Sequence, residues 1–90
     1  MNSDLVFVSI RMDDPVTFAQ VRAARKWLDD YIYHQDLAAS VDAIKQTPAG
    51  YDLEIAFGPD MAAQDFDALL AAIKTSMKRH KIRAFHILRT

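Results

Sequence analysis

The chain has 90 residues and a mass of 10.2 kDa, with 51% hydrophobic and 26% charged residues, a net charge of −1 and no cysteine. A chain of this length and composition is expected to form one soluble globular domain, with too few residues for a second. The lack of cysteine excludes disulfides, thiolate nucleophiles and zinc–thiolate centres, and no apolar run approaches the roughly 18–20 residues of a membrane-spanning helix.

Met1-Asn2-Ser3-Asp4 has neither the basic start nor the long apolar stretch of a secretion signal, which points to a cytoplasmic protein. Charge is unevenly spread. Residues 1–60 hold ten acids against five bases, a net of −5, and residues 61–90 hold two acids against six bases, a net of +4. A nucleic-acid binder usually has a basic excess throughout; this chain has only a basic end.

Leu5-Val6-Phe7-Val8-Ser9-Ile10-Arg11-Met12 reads as the clearest strand. Val6, Val8, Ile10 and Met12 share one face, and Leu5, Phe7, Ser9 and Arg11 share the other. Asp13-Asp14-Pro15 is expected to start a helix, with Asp14 as its cap and Pro15 at the first helical position. Phe18, Val21, Ala24 or Arg25, Leu28 and Ile32 recur at helical spacing, Trp27 and Tyr31 widen the apolar stripe, and the helix is expected to end near Tyr33 or His34.

The stretch from Asp36 to Thr47 has two readings. Leu37, Val41 and Ile44 fit helical spacing. Thr47-Pro48-Ala49-Gly50, however, is a strong turn before the alternating strand Tyr51-Asp52-Leu53-Glu54-Ile55-Ala56-Phe57, which favours a strand over Ser40 to Thr47 and a hairpin with a four-residue loop. Gly58-Pro59-Asp60 is expected to open a second helix capped by Asp60, with Ala62, Phe66, Leu69, Leu70, Ile73 and Met77 buried. Lys74, Lys78, Arg79 and Lys81 suit its negative C-terminal end. Ile82-Arg83-Ala84-Phe85-His86-Ile87-Leu88-Arg89 reads as the last strand.

The order is β-α-β-β-α-β. Right-handed crossovers put both helices on one face of a four-stranded antiparallel sheet, an α+β ferredoxin-like sandwich with strand order 4-1-3-2. The rival is β-α-α-β-α-β with a three-stranded parallel sheet, should Asp36 to Gln46 be helical. On the first reading, Ile82, Ala84, His86 and Leu88 face the helices. The uncovered face then gathers Phe7, Phe85 and Ile87, ringed by Arg11, Arg83 and Arg89, as a candidate dimer face.

No catalytic, metal or cofactor motif stands out, and an enzyme is not expected. His34, His80 and His86 lack zinc-site spacing. Asp13-Asp14 and Asp29-Asp30 are adjacent pairs whose carboxylates point in different directions; the second can pair with Arg22, Arg25 or Lys26 along a helix. Two glycines, Gly50 and Gly58, do not make a phosphate cradle. The RNA-recognition module has the same topology, but Asp52 and Glu54 stand where that module presents aromatic and basic residues, which argues against nucleic acid as a partner.

Another protein is left as the expected partner. Small size, local acidity and the lack of motifs resemble the profile of bacterial immunity proteins and antitoxins, which mask basic nuclease sites with carboxylates. That resemblance implies a blocking role against a basic toxin or nuclease domain. The candidate contacts are Asp29, Asp30, Asp36, Asp42, Asp52 and Glu54, with Trp27, Tyr31 and Tyr33 as aromatic anchors. The alternative is a homodimeric regulatory or small-ligand-binding domain paired through Phe7, Phe85 and Ile87.

Overall fold

The structure is a computed structural model that describes residues 5–89. The first strand, β1, spans Val6–Asp13, and its alternating Val8, Ile10 and Met12 are fully buried. It runs past Met12 because the Asp13 N–H donates to the Ala84 carbonyl at 2.9 Å and the Asp14 N–H donates to the Ala49 carbonyl at 2.7 Å. These bonds hold Asp13 in the sheet and Asp14 in the turn after it, so the expected helix start is displaced. Asp14 caps nothing, and Pro15, joined to it by a cis peptide, lies outside the helix.

Helix α1 spans Phe18–His34 and is capped by Thr17. The Gln20 N–H donates to Thr17 Oγ1 at 3.2 Å, and the Thr17 N–H donates to Gln20 Oε1 at 2.8 Å, a reciprocal capping box. Val21, Ala24, Leu28 and Ile32 form its buried stripe. The end at His34 is as expected.

Strands β2 (Ala39–Thr47) and β3 (Gly50–Phe57) form the hairpin, so the strand reading of residues 39–47 is the one realised. Thr47 pairs directly with Gly50, which shortens the loop to Pro48 and Ala49. A Cβ at Gly50 would penetrate the Met12 carbonyl of β1, so only glycine lets the two backbones approach there. Strand β2 carries an irregularity at Asp42, between Val41 and Ala43.

Helix α2 spans Ala63–Arg79, two residues later than an Asp60 cap would place its start, and its N-cap is Ala62 with no side-chain bond. Gly58-Pro59-Asp60 is consumed in a turn closed by the Met61 N–H on the Gly58 carbonyl at 3.2 Å. Leu69, Ile73 and Met77 are buried as expected, Phe66 and Leu70 are half-buried, Ala62 is exposed, and Ala72 and Ser76 join the core. Ser76 Oγ donates to the Ala24 carbonyl at 3.1 Å, tying α2 to α1 through small side chains.

Both helices end in the same way. In α1 the Leu37 N–H reaches the Ile32 carbonyl at 3.1 Å and the Asp36 N–H the Tyr33 carbonyl at 3.2 Å. In α2 the Ile82 N–H reaches the Met77 carbonyl at 2.9 Å and the Lys81 N–H the Lys78 carbonyl at 3.1 Å. These are Schellman motifs, with Asp36 (φ 51°) and Lys81 (φ 61°) in the left-handed position that glycine usually takes.

The last strand, β4, spans Phe85–Arg89, and the sheet order is β2-β3-β1-β4, all antiparallel. This is the ferredoxin-like arrangement. Leu53, Ile55 and Phe57 of β3 join Val8, Ile10 and Met12 of β1 beneath the helices. The phase of β4 is opposite to expectation. Phe85, Ile87 and Arg89 pair with Met12, Ile10 and Val8 and therefore face the helices, while His86 and Leu88 share the uncovered face with Arg11 and Ser9. The cause lies before the strand: Ile82 is buried as the apolar residue closing α2, not as a strand residue, so it does not set the strand's alternation.

Candidate functional site

The dimer face expected from the sequence is not assembled. Phe7 stands on the uncovered face beside Ala56, whereas Phe85 and Ile87 are half-buried on the helix side. Arg89, expected beside them on the open face, instead lies with its guanidinium 4.8 Å from the centre of the Phe66 ring of α2.

Apart from Asp42, the candidate acidic contacts fall into two groups, one on the uncovered face of the sheet and one on and just past helix α1. Asp52 and Glu54 are on the uncovered face. Arg11 Nε and Nη2 donate to the two Asp52 oxygens at 3.1 and 3.3 Å, and Lys45 Nζ donates to Glu54 Oε2 at 3.3 Å. The side chains of Asp52 and Glu54 retain only 16% and 23% of their exposure, so both acids are engaged within the sheet. The hydrogen bond from Arg11 to Asp52, and then the charge of Asp52, hold the guanidinium above its already high ordinary pKa. A base raised in the folded state contributes stability below its unfolded pKa while the carboxylate that raises it is ionised, so this contribution is present at neutral pH and is lost in strong alkali.

The second group surrounds the C-terminal end of α1. Asp29 and Asp30 are exposed and lie 3.7 and 3.6 Å from Arg25 and Lys26, the helical-spacing pairs expected from the sequence. Ion pairs this exposed contribute about 0–1 kcal/mol and exchange readily for other partners. Tyr33 is 82% exposed, and Asp30 and Asp29, three and four positions before it, are its neighbours by helical spacing, while Asp36 follows just past the helix end in the left-handed position. Trp27 and Tyr31 do not join it: their rings stack at 5.6 Å and pack against the core. Asp42 is exposed at the irregularity of β2.

Phe18, expected from its spacing to belong to the apolar stripe of α1, is instead 48% exposed at the first turn and stands with Arg22, Arg25, Lys26, Asp29, Asp30 and Ile44 around a cleft of about 430 Å³ between α1 and β2. Its ring meets that of Tyr51 at 5.6 Å and lies 6.0 Å from the Arg22 guanidinium. Among the histidines, His86 is exposed on the open face, and His80 Nδ1 lies 2.8 Å from the Ser76 carbonyl at the end of α2. Among the described residues, no group of three or more His, Cys, Asp or Glu side chains is arranged to hold a metal ion, and no helix is long and apolar enough to cross a membrane. The chain matches no family model and no curated protein.

Proposed function

We propose that the protein is a non-enzymatic binding module that meets a basic protein surface with the C-terminal end of α1, in the manner of an immunity protein or antitoxin masking a nuclease domain. The observation that carries this reading is Tyr33, a large aromatic side chain left 82% exposed at the helix end to which Asp29, Asp30 and Asp36 also belong. An aromatic anchor amid carboxylates is a favourable composition for a binding hot spot facing basic residues. The helix dipole adds partial negative charge at the same end. Asp52 and Glu54, already engaged by Arg11 and Lys45, have no part in this contact.

The test is protection of growing cells against a panel of co-produced nuclease toxin domains. The chain is expected to protect against a member of the panel and to bind it with an affinity that falls as salt rises. The double variant Tyr33→Ala, Asp36→Lys is expected to lose both. Lack of protection across the panel, or equal protection by the double variant, overturns the reading.

A further inference from the structure

We infer that the free edge of β4 is a self-pairing surface, on which a second copy of the chain adds an antiparallel β4 and joins two four-stranded sheets into one of eight. The backbone geometry comes first. The register between β1 and β4 continues to Asp13 opposite Ala84, and the Asp13 N–H donates to the Ala84 carbonyl at 2.9 Å. In an antiparallel ladder the residues alternate in the direction of their bonds, so Ala84, His86 and Leu88 turn their N–H and C=O groups toward β1. Phe85, Ile87 and Arg89 turn theirs outward, to the edge that no described strand covers.

The two edges of the sheet are also unequally protected. Strand β2 carries the irregularity at Asp42 and the exposed charges of Asp42 and Lys45, devices that discourage edge pairing. Strand β4, Phe85-His86-Ile87-Leu88-Arg89, has an unbroken register, no proline and no acid, and its one charged residue, the exposed Arg89 at its end, has its guanidinium over the Phe66 ring of α2.

The occupant follows from the symmetry of that segment. With Ile87 on a two-fold axis, its N–H and C=O meet those of the second Ile87, and Phe85 falls opposite Arg89 of the other copy. All three are outward-bonding positions, so the register uses every free group. Each Arg89, already held over Phe66, then also lies beside an aromatic ring of the second chain. The half-buried Phe85 and Ile87 side chains gain cover on the helix side. A five-residue pairing is a small interface, so the dimer separates on dilution.

Sedimentation equilibrium of the full chain is expected to give a mass that climbs from 10.2 kDa toward twice that value with concentration. Ile87→Pro removes only an outward-facing N–H from the ladder and is expected to keep the circular dichroism of the fold while abolishing the rise in mass. A second measurement does not depend on that variant folding. The chain has no cysteine of its own, so Ile87→Cys, treated with oxidised glutathione, is expected to form a covalent dimer, because directly opposed Cα atoms about 5.5 Å apart suit a disulfide. Asp42→Cys, on the opposite edge, is expected to stay monomeric. A mass fixed at the monomer value, a dimer that survives in folded Ile87→Pro, or equal cross-linking of the two cysteine variants overturns the inference.

Discussion

The two β-α-β halves of the chain build helices of equal length, 17 residues each, and finish both with the same motif, yet they begin them differently. Helix α1 starts in a reciprocal box between Thr17 and Gln20. Helix α2 starts at Ala62, whose methyl group can accept no hydrogen bond. At the far ends both left-handed positions are filled by residues with side chains, Asp36 and Lys81. The difference teaches that matched burial, not matched local chemistry, makes the halves equivalent: Leu28 and Leu69 are both fully buried in one core, and that shared burial tolerates a bare helix start.

Breaking the shared burial is expected to have the largest effect. Leu28→Ala and Leu69→Ala should each lower the unfolding free energy by about 2–5 kcal/mol, read from urea titration. Similar losses would support the equivalence of the halves, and a loss confined to one of them would end it. Next come the helix starts. Thr17→Ala should destabilise by about 0.5–2 kcal/mol, and Ala62→Asp should stabilise by a similar amount, since the extended backbone at Ala62 already suits a cap. The smallest effects belong to the helix ends. Glycine removes a left-handed penalty of about 1–2 kcal/mol but restores chain entropy of about 0.5–1, so Lys81→Gly should gain a few tenths to about 1 kcal/mol in thermal melts. Asp36→Gly should gain less, because aspartate tolerates that conformation better than lysine does.

The element order and the strand order were legible because alternation in β1 and β3 and the helical spacing of Val21, Leu28, Leu69 and Ile73 are local signals. The helix starts were misread because Asp14 and Asp60 carry the chemistry of a cap but are held in turns by backbone bonds to Ala49 and within Gly58–Met61. Thr17 and Gln20 were a readable box, hidden behind the more conspicuous Asp-Asp-Pro. The phase of β4 was not legible, since either phase offers apolar residues and the choice is made by where α2 ends. The candidate surface suffered from the same non-locality. Asp29 and Asp30 find their bases one helical turn away, as spacing predicts, but the engagement of Asp52 by Arg11 depends on a cross-strand register 41 residues apart.

Gln20 has a consequence beyond the start of its own helix. While its Oε1 accepts from Thr17, its Nε2 donates to the His80 carbonyl at 3.1 Å, so one side chain clasps the first turn of α1 and the last turn of α2. Neither terminus can fray without loosening the other. Solvent exchange of amide protons at these two places, sixty residues apart in the chain, is therefore expected to be coupled through a single carboxamide.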